Sequence, residues 1–194
     1  VSISSVRHKY ETRAIVLLRT PLGEANVLAA LITPDVGLVR ARAQGLRRSG
    51  AKLAHSLKTF SESSVVLVRG RESWRVAGAV LEEDWFARLA SSESRARAGR
   101  ISSLLLRLVA GEANDQKLFP IVRSFFNALA VLPKASHEAA EILAALRILA
   151  VLGLDGGVIG GEQTEFTQPL LAEVMEKRTS YIARINNGIS ASGL

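Results

Sequence analysis

The chain has 194 residues, of which 48% are hydrophobic, with no cysteine and a formal net charge of +7. That length holds one or two domains and buries enough apolar surface to fold without a metal or a disulfide. The missing cysteines exclude a disulfide scaffold, a zinc ribbon, a Cys-ligated cluster and a thiol nucleophile.

Taken in chain order, the first part reads as strands. Val1 to Tyr10 is polar and mixed, with no apolar core of a secretory signal. Residues 12–19 are apolar and β-branched and end at the turn signal Thr20-Pro21-Leu22-Gly23. Residues 26–33 follow, closed by Pro34-Asp35 and Gly37. Residues 38–44 alternate, with Val39, Ala41 and Ala43 on one face and Arg40, Arg42 and Gln44 on the other. A basic loop, residues 45–52, leads to a strand expected over 57–68, and residues 69–73 turn into a strand over 74–81. Five short strands punctuated by Gly and Pro suggest a small closed barrel.

After Leu81 the period becomes helical. Helices are expected over 85–90, 94–111, 119–132, 136–153 and 168–187. Ser136 stands at an N-cap position, Gly153 at a C′ position, and Pro120 fits the first turn of its helix. The Gly-rich stretch 155–165 is a loop. The fold class is therefore α+β in two parts, a barrel over 1–82 and an all-α domain over 83–194. Trp85 and Phe86, directly after the last strand, suggest that the parts pack together. The longest apolar run, 139–154, carries Glu141 and Arg147 and is shorter than the roughly 20 residues of a membrane span. A soluble, cytoplasmic protein without a membrane partner is expected.

The charge is one-sided. Residues 1–80 hold thirteen Lys and Arg against five acids, while the rest of the chain holds twelve against thirteen. Concentrated positive charge suggests a polyanion partner. Arg40 and Arg42 on the outer face of a strand, with Arg47, Arg48 and Lys52 in the loop after it, space cations at about 6–7 Å along an extended chain. Arg69, Arg71 and Arg75 flank the next hairpin and extend the track. Arginine suits bidentate phosphate contact and stacking on bases. Single-strand binders also offer aromatic platforms, and residues 1–80 contain only Tyr10, Phe60 and Trp74, the last two as plausible in the core as on the surface.

No catalytic or metal constellation is legible. His8, His55 and His137 are scattered. The run His137-Glu138-Ala139-Ala140-Glu141 approaches a metalloprotease pattern but ends in Glu, and reads as a helix start with acids against the macrodipole. The triplet Glu82-Glu83-Asp84 reads as a solvated helix start rather than a cation site. The Gly156–Gly161 loop has no Lys-Ser/Thr after it and is not a P-loop. Neither enzyme activity, nor a metal, nor a cofactor is expected. In the helical part Phe119, Phe125, Phe126, Leu129 and Leu132 form an apolar stripe, read as bundle core or as a groove for a partner's apolar tail.

The runs Tyr10–Leu17, Pro21–Ala25, Thr33–Leu38 and Ala43–Arg48, with the helical stretch Leu143–Leu154, resemble the RecO family of recombination mediators. The resemblance implies an OB-fold followed by a helical domain, and binding of single- and double-stranded DNA. It also implies annealing of complementary strands and help in loading RecA on DNA coated by single-stranded-DNA-binding protein. RecR and the acidic, apolar C-terminal tail of that coating protein would be partners. Many members carry a four-cysteine zinc site after the helix that ends here at Gly153-Leu154. This chain has Gly156-Gly157-Val158-Ile159-Gly160-Gly161 there, so it resembles a short form without that site. The competing readings are an RNA-binding OB-type module and a helical protein–protein adaptor whose barrel is structural.

Overall fold

The computed structural model describes residues 8–44, 53–71, 73–109 and 115–193. The chain divides into two compact units, one holding the strands up to Asp84 and the other the helices of Trp85–Gly111 and Asp115–Leu194.

The sheet unit contains β1 (Lys9–Leu22), β2 (Asn26–Thr33), β3 (Gly37–Ala43), β4 (Ser61–Arg69) and β5 (Trp74–Asp84). The spatial order is β1-β2-β3-β5-β4, with β4 returning to β1. β1 serves two neighbours: Lys9 to Ile15 pair with β4, and Ile15 to Leu22 pair with β2. A 14-residue strand can do this because its register shifts between Val16 and Leu18, and such bulges bend a strand and increase its twist. The β4–β5 ladder shifts twice, at Glu62/Ser63 and at Val66/Leu67. The strands close on themselves as a barrel, but the expectation of five short strands needs correction here. What forms is one strongly rolled sheet with two long, bulged strands. Its ring closes between β3 and β5 through two parallel pairs only, Ala41↔Trp74 and Arg42↔Arg75. Turn chemistry gave the strand count, but neither the bulges nor the thin seam leaves a local mark.

Alternation fills the interior. Ala14, Val16, Ala29, Leu31, Val39, Ala41, Ala43, Leu67 and Trp74 belong to one buried cluster. Its alanines leave room for the indole of Trp74, the small-beside-large arrangement that a tightly rolled sheet demands. The strand expected over 57–68 begins later: Leu57 to Phe60 form a turn, and Phe60 takes φ 62 while its N–H donates to the Val16 carbonyl at 2.8 Å. Left-handed backbone is costly for a bulky residue, and Phe60 is held there by burial to 6% exposure.

The helical unit contains α1 (Trp85–Arg88), α2 (Ser92–Leu108), α3 (Leu118–Val131), α4 (His137–Val151), α5 (Gln168–Glu176) and α6 (Arg178–Ala191). α4 is its centre, with eleven of fifteen residues buried, as expected of a helix apolar on all sides. Phe125 and Phe126 of α3 are fully buried, and Phe126 meets Trp85 edge-on with ring centres 6.3 Å apart. Ser91 caps α2 by accepting from the Ser94 N–H at 3.0 Å. Ser136 does not cap α4. It closes a 3-10 turn, Lys134–Ser136, with helical φ and ψ, and its side chain makes no cap bond. Gly153 does adopt the left-handed conformation (φ 72) that ends a helix. The single helix expected over 168–187 is two, broken at Lys177.

Two arginines fix the Gly-rich loop after α4. Arg184 of α6 holds Asp155 through Nε at 3.0 Å and Nη2 at 2.5 Å, and donates to the Val158 carbonyl at 3.3 Å. Its guanidinium lies where a Cβ on Gly157 would be. Arg147 of α4, 3% exposed, donates to the Glu165 carbonyl at 2.7 Å and lies over the Phe166 ring. Burial pulls its guanidinium down to about 10, against the opposing pull of Glu165.

Candidate nucleic-acid interface

β3 delivers its two faces as its alternation requires. Val39, Ala41 and Ala43 point into the core, Arg42 and Gln44 are exposed, and Arg40 is half-buried. The parallel seam then does what no local pattern announces. It sets Arg42 of β3 beside Arg75 of β5 as direct register partners, 33 positions apart in the chain. Like charges opposite one another on neighbouring strands repel, and among the described residues no acid pairs with either of them.

The same end of the rolled sheet gathers further cations. Arg69 is the register partner of Trp74, with its guanidinium 4.9 Å from the indole centre, and its N–H donates to the His8 carbonyl at 3.1 Å. Arg71 is exposed in the turn that follows. Lys9, exposed and paired with Val68, joins this end, although residue order alone gave no reason to single it out. Tyr10 is next to it, 39% exposed and edge-on to Trp74 at 5.2 Å and 67°. Arg47, Arg48 and Lys52 lie outside the described residues.

The triplet Glu82-Glu83-Asp84 ends β5 rather than starting a helix, and Glu82 accepts from the Ser64 hydroxyl at 2.7 Å. His8 and His55 are exposed. His137 is buried, and its Nε2 lies 2.9 Å from the Leu132 carbonyl, which fixes that nitrogen as a donor. Glu141, the last residue of the metalloprotease-like run, is taken by Arg97 at 2.6 Å and by Arg100 at 2.5 Å. Among the described residues no group of three or more His, Asp or Glu is placed to hold a metal ion. No helix among them is long and apolar enough to cross a membrane. In the helical unit the stripe of Phe119, Phe125, Phe126 and Leu129 is core, while half-buried Leu132 lines an open concavity of about 200 Å³ with Arg123, Asn127, Val131 and Phe166.

These features define a class of protein before they define a family: a rolled sheet with an unbalanced cationic end, continued by a helical unit built around one buried helix. Residues 7–82 match the family model for the recombination protein O N terminal region. The chain is 30% identical over 117 residues to the DNA repair protein RecO of Dehalococcoides mccartyi strain 195, covering 60% of this chain and 46% of that protein. It is 28% identical over 171 residues to RecO of Synechococcus sp. strain JA-2-3B'a(2-13), covering 78% of this chain and 60% of that relative. The chain is thus similar to RecO proteins, and its 194 residues contain no cysteine. It spans about half the length of the first curated relatives it matches.

Proposed function

We propose that the chain binds DNA through the cationic end of its sheet unit, anneals complementary single strands, and assists RecA loading on DNA coated by single-stranded-DNA-binding protein. The observation that carries this reading is the Arg42–Arg75 pair, two cations held side by side at the seam with no acid between them. Such a pair costs the folded protein repulsion, which a bridging phosphate relieves. Annealing needs no catalytic residue. It needs cations that offset repulsion between two phosphate backbones. In this reading residues 1–82 are the DNA-binding domain, with Arg40, Arg42, Arg69, Arg71 and Arg75 among the described residues, and with Arg47, Arg48 and Lys52, outside the described residues, between β3 and β4 in the sequence. Residues 83–194 engage protein partners. The concavity beside Leu132 and Phe166, with Arg123 at its rim, suits the acidic, apolar tail of the coating protein, and RecR is a further partner.

The test is a fluorescence titration of labelled single- and double-stranded oligonucleotides over a series of salt concentrations. The wild-type chain is expected to lose affinity steeply with salt, with a slope near −0.7 for each phosphate neutralised on a single strand. Arg42→Glu with Arg75→Glu is expected to weaken binding at low salt by about tenfold or more, with an unchanged circular dichroism spectrum. Equal affinity for that double variant removes the seam from the interface. Binding of RNA in preference to DNA would favour a translation or RNA-handling role.

A further inference from the structure

We infer that Tyr10 is a stacking platform for an unpaired nucleobase at the open end of the rolled sheet, an inference that rests on the DNA-binding reading above and gives it a preference for single strands. Three large hydrophobic side chains of the sheet unit are exposed among the described residues, Tyr10, Leu18 and Val80, and of these only Tyr10 is aromatic. The other two aromatic residues of the unit, Phe60 and Trp74, are 6% and 4% exposed and belong to the interior.

The position of Tyr10 is set by its register. Its β4 partner is Leu67, a core residue, so Tyr10 stands on the inward side of β1 at the strand's end, in line with Thr12, Ala14 and Val16. Trp74 supports it edge-on, and the Arg69 guanidinium lies over Trp74 in turn. A tyrosine so held has few rotamers left to lose when a base arrives, which is what makes an aromatic a low-cost contact surface. The cations Lys9, Arg69 and Arg71 stand at the same end. A strand whose phosphates they hold would bring its bases within reach of the phenol ring. Stacking on a ring face is indifferent to base identity, because every base has a π-face, but it requires a base released from its pair.

The experiment compares two labelled oligonucleotides of equal length and charge, an oligothymidylate and one with abasic residues in place of the thymidines, by anisotropy at fixed salt. The full chain is expected to bind the base-bearing strand about tenfold more tightly, the lower range of one base–aromatic stack. Tyr10→Leu retains bulk against Trp74 but has no π-face, and is expected to lose that advantage while keeping the salt dependence. Tyr10→Phe is expected to retain it. Equal wild-type affinity for both strands overturns the inference, as does a Tyr10→Leu variant that still discriminates. If the wild-type chain binds neither strand at low salt, the DNA-binding reading itself fails. If it binds both alike, only the platform does.

Discussion

In the helical unit Arg97, Arg100, Arg178 and Arg184 each rest on a carboxylate, whereas in the sheet unit Arg42 and Arg75 face one another with no acid between them. The residue type is the same and the job is different. Arg97 and Arg100 converge on Glu141 and tie α2 to α4, and Arg97 also reaches Glu93 one turn away. Those guanidiniums are consumed by architecture. The seam arginines hold the sheet through their backbones alone, and among the described residues no acid pairs with their side chains, so their charge remains available. Counting arginines in a sequence therefore says less about polyanion binding than asking which of them the fold has already neutralised.

That contrast can be broken from the helical side. The largest effect is expected from Phe126→Ala, which removes a fully buried ring packed on Trp85 and Phe125. It should cost about 4 kcal/mol, read by denaturant titration, while a DNA titration of the remaining folded protein should be unchanged. Loss of DNA affinity in folded Phe126→Ala would show that the two units do not divide the work as described.

A smaller effect is expected from Glu141→Ala. Glu141 and Arg97 are 17% and 15% exposed, between a surface pair and a buried one. Removing the acid strands Arg100 and leaves Arg97 with Glu93 alone, and a cost of about 2 kcal/mol follows. If the variant instead gains DNA affinity, the newly released Arg100 would be recruited by phosphate, and the distinction between consumed and available arginines would be sharpened.

The smallest effect concerns acid. The hydrogen bond from Arg97, with its charge, holds the Glu93 carboxyl below the ordinary range. A lowered folded value means that stability is present at neutral pH and is lost as pH falls through that value. Glu93→Gln should remove this contribution, so its melting temperature should fall slightly less than the wild type's on acidification from neutrality. Parallel curves would place the acid sensitivity elsewhere.

Much of this organisation was legible in the sequence. The two periods separated strands from helices because burial on one face imposes a repeat of 2 in the first case and 3.6 in the second. The same logic put Val39, Ala41 and Ala43 opposite Arg42 and Gln44. Contacts between distant segments were not legible. Nothing near Arg42 announces Arg75, since parallel pairing across 33 positions is fixed by the roll of the whole sheet. Leu57 and Phe60 looked like strand because both are apolar, yet a buried turn selects apolar residues as well. The break at Lys177 has neither Gly nor Pro beside it. Ser136 was given a cap it does not make because a 3-10 turn occupies the place where the chain would have to be extended. Tyr10 was counted among the aromatics, but its exposure depends on standing one register step beyond the last covered residue.

The glycine at 157 teaches a last point. A run of glycines is commonly taken as slack in the chain, yet the space beside Gly157 is occupied by the end of Arg184. The loop and α6 are thus joined as a slot and a pin. Adding one methyl group at this position would displace a side chain from another element and, with it, the latch on Asp155. A substitution in what reads as the least constrained stretch of the sequence would be felt first in the C-terminal helix.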